Sequence, residues 1–141
     1  MTIYADSSAV LSWLLDEPGS ERVADALLPP AEVVVSDLTL IECDRSLHRL
    51  VRHRSANAAD AERLRLRLAE LAKAWAVEAI GEPVVTRARA PFPDDAIRTL
   101  DAIHLASALV IRAATGPLEL LSLDERMRSN ARALGFRVLP E

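Results

Sequence analysis

The sequence predicts an α/β fold, a mostly parallel sheet with helices on both faces, and three observations carry that expectation. Short β-leaning runs alternate with helical stretches along the whole chain, the pattern of strand–helix–strand units. Val33-Val34-Val35 is apolar at every position, as a strand covered on both faces is. The 141 residues, 50% hydrophobic and 27% charged, form a single expected domain that needs no disulfide or metal to fold.

Taken in order, Thr2–Ala5 is the first strand, stopping at Asp6. Ser7 or Ser8 is then expected to cap a helix through Leu15, ended by Pro18-Gly19. Ser20 is placed as the cap of a short second helix, closed by Pro29-Pro30. After the Val33–Val35 strand, Ser36 or Asp37 opens a helix to about His53, with Leu40, Cys43, Leu47, Leu50 and Val51 on one side. The turn RSANAAD precedes a long helix to about Trp75. Its RLRLRL segment imitates an alternating strand, but Leu64, Leu68, Leu71 and Trp75 share one helical stripe. Ala76–Ile80 is a strand and Glu82–Ala90 a short helix halted before Pro91 and Pro93. An oily helix follows to about Ala114, with Thr115-Gly116-Pro117 as its stop. Leu118–Ser122 is the next strand, Glu125–Leu134 the last helix, and FRVL the last strand.

The formal charge of −4 gives no global attraction for a polyanion, so any nucleic-acid site has to be local. Lys73 is the sole lysine among 17 basic residues. The lone Cys43 cannot form an internal bridge, and the first residues lack a secretion signal. No run of about 18 apolar residues marks a membrane span. These features point to a cytoplasmic protein.

Four acids fall in telling places. Asp6 directly follows the first strand and Asp124 almost directly follows the fourth, where ligands gather in open α/β sheets. Glu42 lies one turn into its helix, on a face shared with Arg45, Ser46 and Arg49. Asp101 stands at the start of the oily helix, as its N-cap or in its first turn. Local roles explain each acid singly: turn and cap residues, or an ion pair of Glu42 with Arg45. They do not explain four acids aimed at one end of one sheet. Clustered carboxylates repel one another, and a divalent cation removes the conflict. Oxygen-only ligands select Mg²⁺ or Mn²⁺, and no cysteine–histidine spacing argues for zinc.

In sequence order, IYADSSAV, SDLTLIECDRSL, RTLDAIHLASAL and LLSLDERMRSNARALGFRV resemble the PIN-domain ribonucleases across nearly the whole chain. The likeness is greatest to the VapC toxins of bacterial toxin–antitoxin pairs. It implies a three-layer PIN-like domain with a mostly parallel five-stranded sheet. It also implies Mg²⁺- or Mn²⁺-dependent endoribonuclease activity, a small antitoxin protein as inhibitor, and a homodimer. The family's acidic quartet falls on Asp6, Glu42, Asp101 and Asp124, with Ser7 or Ser8 and Ser122 in the small-hydroxyl places. Asp44, Asp94 and Asp95 stay outside it.

On that reading Asp6 and Asp101 are the primary metal ligands. Asp124 completes the pocket, at a second metal or through a bound water, and Glu42 orients or deprotonates the attacking water or joins the second metal site. Arg45 and Arg49 are candidates to contact flanking RNA phosphates. His104 is expected to pack beside the site and hydrogen-bond within it, and Cys43 to fill core. Two rivals compete: a PIN-fold binding module with weak or no nuclease activity, and a receiver-type signalling domain. The second needs an acceptor aspartate after the central strand and a nearby lysine, for which Val35-Ser36-Asp37 and Lys73 are poor candidates.

Overall fold

The computed structural model describes residues 1–29 and 31–141. Five strands, β1 (Thr2–Ala5), β2 (Glu32–Ser36), β3 (Ala76–Glu78), β4 (Glu119–Leu121) and β5 (Val138–Leu139), form one sheet in the order β3-β2-β1-β4-β5. Every pairing is parallel. The helices are α1 (Ser7–Leu14), α2 (Ser20–Leu27), α3 (Asp37–Arg52), α4 (Ala58–Ala72), α5 (Glu82–Ala88), α6 (Thr99–Thr115) and α7 (Glu125–Ala133).

Side chains of a strand alternate between faces, so β1 feeds two separate cores. Tyr4 joins Val34, Leu120 and Val138 against Leu105, Ala108 and Ile111 of α6 and Met127 of α7. Ile3 and Ala5 join Val33, Val35 and Leu121 against Val10, Leu14, Val23, Cys43, Leu47 and Leu68, from α1 to α4. Helices therefore cover both faces of the sheet. The edges are blunt: β3 has three residues, all exposed, and β5 has two.

Every expected element is present, and the differences lie at its ends. Asp6, not Ser7 or Ser8, caps α1, its carboxylate accepting the Ala9 N–H. A carboxylate at the strand end reaches that N–H, so both serines fall inside the helix. Gly19, at φ 85°, precedes α2 in place of Ser20. A left-handed turn was needed there, which glycine adopts without strain. Pro30, expected with Pro29 to close α2, lies outside the described residues. Ser36 caps α3 as expected, accepting from Leu38 N. α4 ends at Ala72, its last turn closing through Trp75 N–H to Ala72 O. The RLRLRL segment is helical: Leu68 is buried while Leu66 is 56% exposed. β3 stops at Glu78, short of Ile80.

Candidate active site

Because β1 and β4 are parallel neighbours, their carboxyl ends deliver Asp6 and Asp124 to the same edge of the sheet. Asp6 N–H donates to Leu121 O at 3.1 Å, continuing the ladder past the end of β1. The Asp6 side chain is then held in place. Ser122 Oγ donates to Oδ2 at 2.5 Å, Ser8 Oγ to Oδ1 at 2.7 Å, and Ala9 N–H to Oδ1 at 3.1 Å. With only 3% of the residue exposed, burial pushes the Asp6 pKa up, against these three donors and the nearby His104.

Ser122 links Asp6 to Asp124, since its Oγ also accepts the Asp124 N–H at 3.1 Å. Asp124 is the N-cap of α7, its Oδ1 accepting from Arg126 N and Met127 N. Its other oxygen, Oδ2, accepts from Arg98 Nη2 at 2.9 Å. Arg98 turns back to its own helix as well, where Nε donates to Asp101 Oδ2 at 3.1 Å. Asp101, 6% exposed, occupies the first turn of α6 and is not its N-cap, which is Arg98. The hydrogen bond to Asp101, then the charges of Asp101 and Asp124, tighten the Arg98 guanidinium's hold on its proton.

Glu42 belongs to a second chain of contacts. Its Oε1 accepts from His104 Nε2 at 2.5 Å, in place of the Arg45 pairing that spacing alone allowed. His104 Nδ1 meets the Tyr4 hydroxyl at 2.7 Å. His104 and Tyr4 are buried, and His104 is in the place expected for it, beside the acids and bonded among them. Arg45 and Arg49 are exposed on α3, with Arg49 Nη2 on Ser46 Oγ at 2.7 Å. Of the two early serines, Ser8 touches Asp6 and donates to it, while Ser7 opens α1. Asp94 and Asp95 serve the turn before α6, accepting from Ala96 N and Phe92 N. Cys43 is fully buried, its thiol pushed up to about 12 by burial first and by Glu42, Asp44 and Asp6 after it. Lys73 is spent on an exposed pair with Glu70 and Asp37 opens α3, so among the described residues these two do not assemble a receiver-type pocket.

Two contributors escaped sequence reasoning. Arg98 was legible only as the residue three before Asp101, a spacing at which helical neighbours meet. Tyr4 carried the signal of strand alternation: it faces the α6 side while its neighbours Ile3 and Ala5 face the other.

Among the described residues, no three His, Cys, Asp or Glu side chains close on one point tightly enough to hold a metal ion as they stand. The chemistry of the donor set nevertheless suits a hard divalent cation. Asp101 and Asp124 share Arg98, and Glu42 has His104. Asp6, almost fully buried, is bonded by two hydroxyls and a backbone N–H and, among the described residues, by no basic side chain. A buried carboxylate so placed has no basic side chain bonded to it, and a hard divalent cation such as Mg²⁺ or Mn²⁺ would balance its charge.

The likeness to known proteins runs the length of the chain. The family model described as "PIN domain" matches residues 3–133. Ribonuclease VapC35 of Mycobacterium tuberculosis is 30% identical over 139 residues, covering 97% of this chain and 95% of that relative. Ribonuclease VapC46 of the same species is 32% identical over 137 residues, with the same coverage. In fold, the chain is similar to VapBC2 from Rickettsia felis, solved bound to a DNA fragment from its promoter. The TM-score is 0.69 at 9% identity, covering 98% of this chain and 97% of that one. FitAcB from Neisseria gonorrhoeae gives a TM-score of 0.68 at 19% identity, covering 98% and 96%. No helix among the described residues is long and apolar enough to cross a membrane. A parallel five-stranded sheet with acids at the ends of β1 and β4, a family match over most of its length and relatives at 30% identity place this chain in the PIN-domain family, among its VapC-type members.

Proposed function

We propose that this protein is a metal-dependent endoribonuclease, the toxin of a toxin–antitoxin pair. One observation carries the reading: Asp6 and Asp124 meet at adjoining strand ends, bridged by Ser122, and Arg98 joins Asp124 to Asp101. Three acids from β1, α6 and the β4–α7 junction thus form one connected set, with Glu42 nearby on His104.

Asp6, Asp101 and Asp124 would hold Mg²⁺ or Mn²⁺, with Asp6 and Asp101 as the primary ligands. Such an ion, when bound, polarises a phosphodiester oxygen and lowers the pKa of a coordinated water. Glu42 would accept the proton of the attacking water as the water oxygen bonds to phosphorus, while the phosphorus–ester oxygen bond breaks and the departing oxygen takes a proton from solvent water. Ser8 and Ser122 keep Asp6 in a single rotamer, so that its carboxylate does not have to be ordered when substrate binds. Arg45 and Arg49, exposed beyond Glu42 on α3, contact the flanking phosphates of the RNA. Inhibition by a small antitoxin protein and assembly as a homodimer belong to the same reading. The solved neighbours that support the first are described as toxin–antitoxin complexes, including one from Klebsiella pneumoniae.

Purified protein is expected to cleave RNA when Mg²⁺ or Mn²⁺ is added and to stop when it is chelated. Asp6→Asn and Asp101→Asn should each abolish cleavage. Mutants that cut as well as the parent would refute the mechanism, and a parent that binds RNA without cutting it would favour a binding module.

A further inference from the structure

The Tyr4–His104–Glu42 chain is an odd presence in a core. Tyr4 is fully buried in an otherwise apolar cluster, and His104 is 2% exposed. An aliphatic pair would fill that space without desolvating a hydroxyl and an imidazole. The placement of the protons gives the polar pair its purpose. A carboxylate only accepts, so the 2.5 Å contact with Glu42 Oε1 requires a hydrogen on His104 Nε2. In the neutral ring Nδ1 is then an acceptor, and the Tyr4 O–H donates to it at 2.7 Å. Of the hydroxyls around Tyr4, those of Thr39, Ser107 and Ser36, none is hydrogen-bonded to His104 among the described residues. Thr39 Oγ1 donates to Ala5 O, and Ser107 Oγ donates to Ile103 O. Among the described residues the geometry gives the Tyr4 hydroxyl one hydrogen-bond partner, His104 Nδ1, so its proton goes there.

We infer that Tyr4 and His104 are positioning residues for Glu42: the Tyr4 hydroxyl fixes His104 as its Nε2–H tautomer, and that N–H aims the Glu42 carboxylate at the acid site. The chain spans β1, α6 and α3, so it ties Glu42 to the strand that carries Asp6 and to the helix that carries Asp101. Oε1 is pinned, and among the described residues Oε2 has no hydrogen-bond donor, which leaves it as the oxygen that meets water. A satisfied core histidine would need no partner at the surface, yet this one ends on a side chain that is 24% exposed. The inference rests on the nuclease reading for what Glu42 does, but not for how it is held.

Long-range ¹⁵N NMR of the histidine rings tests it directly, with His104 assigned by its loss in His104→Gln. At pH 8 the parent protein should show His104 protonated at Nε2 and bare at Nδ1. Tyr4→Phe, which leaves Glu42 as the ring's one partner, should admit a detectable fraction of the Nδ1–H tautomer and lower kcat for RNA cleavage about 10-fold with KM within twofold, the scale typical of a lost orienting partner. His104→Gln, which keeps a donor toward Glu42, should retain more activity than His104→Leu. A parent ring protonated at Nδ1 would overturn the inference, and so would a Tyr4→Phe protein with tautomer and kcat unchanged. If the parent cleaves no RNA while its His104 shows the expected tautomer, the nuclease reading fails and the positioning chain stands.

Discussion

Arg98 and Asp124 join the starts of two helices: the guanidinium at the head of α6 donates from Nη2 to Oδ2 of the carboxylate that caps α7, at 2.9 Å. Through its Nε the same side chain also holds Asp101. Arg98 therefore supplies the positive charge between two acids proposed as metal ligands. Arg98→Ala should let Mn²⁺ bind more tightly in isothermal titration, because an internal cation no longer competes. Equal affinity in parent and variant would sink the idea. The side chain is 60% exposed, so the metal-free fold should lose little from the change.

Asp6 gives a prediction for stability with a definite sign. Burial raises its folded pKa above the unfolded value, so ionising it favours the unfolded chain. Whatever stability this acid contributes is present at low pH and is lost as pH rises through the folded pKa. Asp6→Asn removes that loss, and hydroxyls as adaptable as those of Ser8 and Ser122 can re-pair with the amide. Thermal unfolding at pH 8 in the absence of metal should show a Tm raised by about 3 °C, roughly the effect of 1 kcal/mol in a chain of this size. The gain should vanish toward pH 4, and RNA cleavage should be lost at every pH.

Asp124 has two duties that substitution can separate. As N-cap of α7 it accepts from Arg126 N and Met127 N, a role asparagine fills equally well. Asp124→Asn should therefore keep the parent Tm while losing cleavage. Asp124→Ala should lose cleavage too, and about 1 kcal/mol of stability with the cap. Matched denaturation and activity curves for the pair decide it. Equal destabilisation by both variants would mean that the charge, and not the cap, holds α7.

Arg45 and Arg49 test the path of the RNA. Both are exposed, so Arg45→Ala and Arg49→Ala should leave Tm within about 1 °C. Each should raise KM and flatten the dependence of log affinity on log salt by about 0.7, the value for one lost phosphate contact on a single strand. An unchanged salt slope would place the RNA elsewhere.

Much of this was written in the pattern of residues. Apolar runs bounded by caps, prolines and turn residues marked all twelve elements of the described residues, and burial left a plain trace in Val33–Val35 and in the Leu64–Leu68 stripe. The expectation that Asp6 and Asp124 lie at one sheet edge rested on β1 and β4 being parallel neighbours, which the topology supplies. Helix starts were harder to read. Ser7, Ser8 and Ser20 are good caps by type, but Asp6 and Gly19 occupy the backbone geometry that a cap needs. Arg98 and Tyr4 were illegible for a different reason. Their partners Asp124 and His104 are distant in sequence, and no local period encodes a bond between separate elements.

The strand order has a bearing on how such a protein comes off the ribosome. β1 is the central strand, and it can pair with β2 once residue 36 has emerged, but its other side waits for β4. Until residues 119–124 have been synthesised, Asp6 lacks the Ser122 hydroxyl and the Leu121 carbonyl that order it, and Asp124 does not yet exist. Long-range pairings of this kind form late because the intervening chain must be closed first. On the proposed function, a chain grown only as far as α6 is thus inactive, because it lacks both Ser122 and Asp124. The wiring of the sheet, with β1 between β2 and β4, makes the proposed activity wait until β4 has been made.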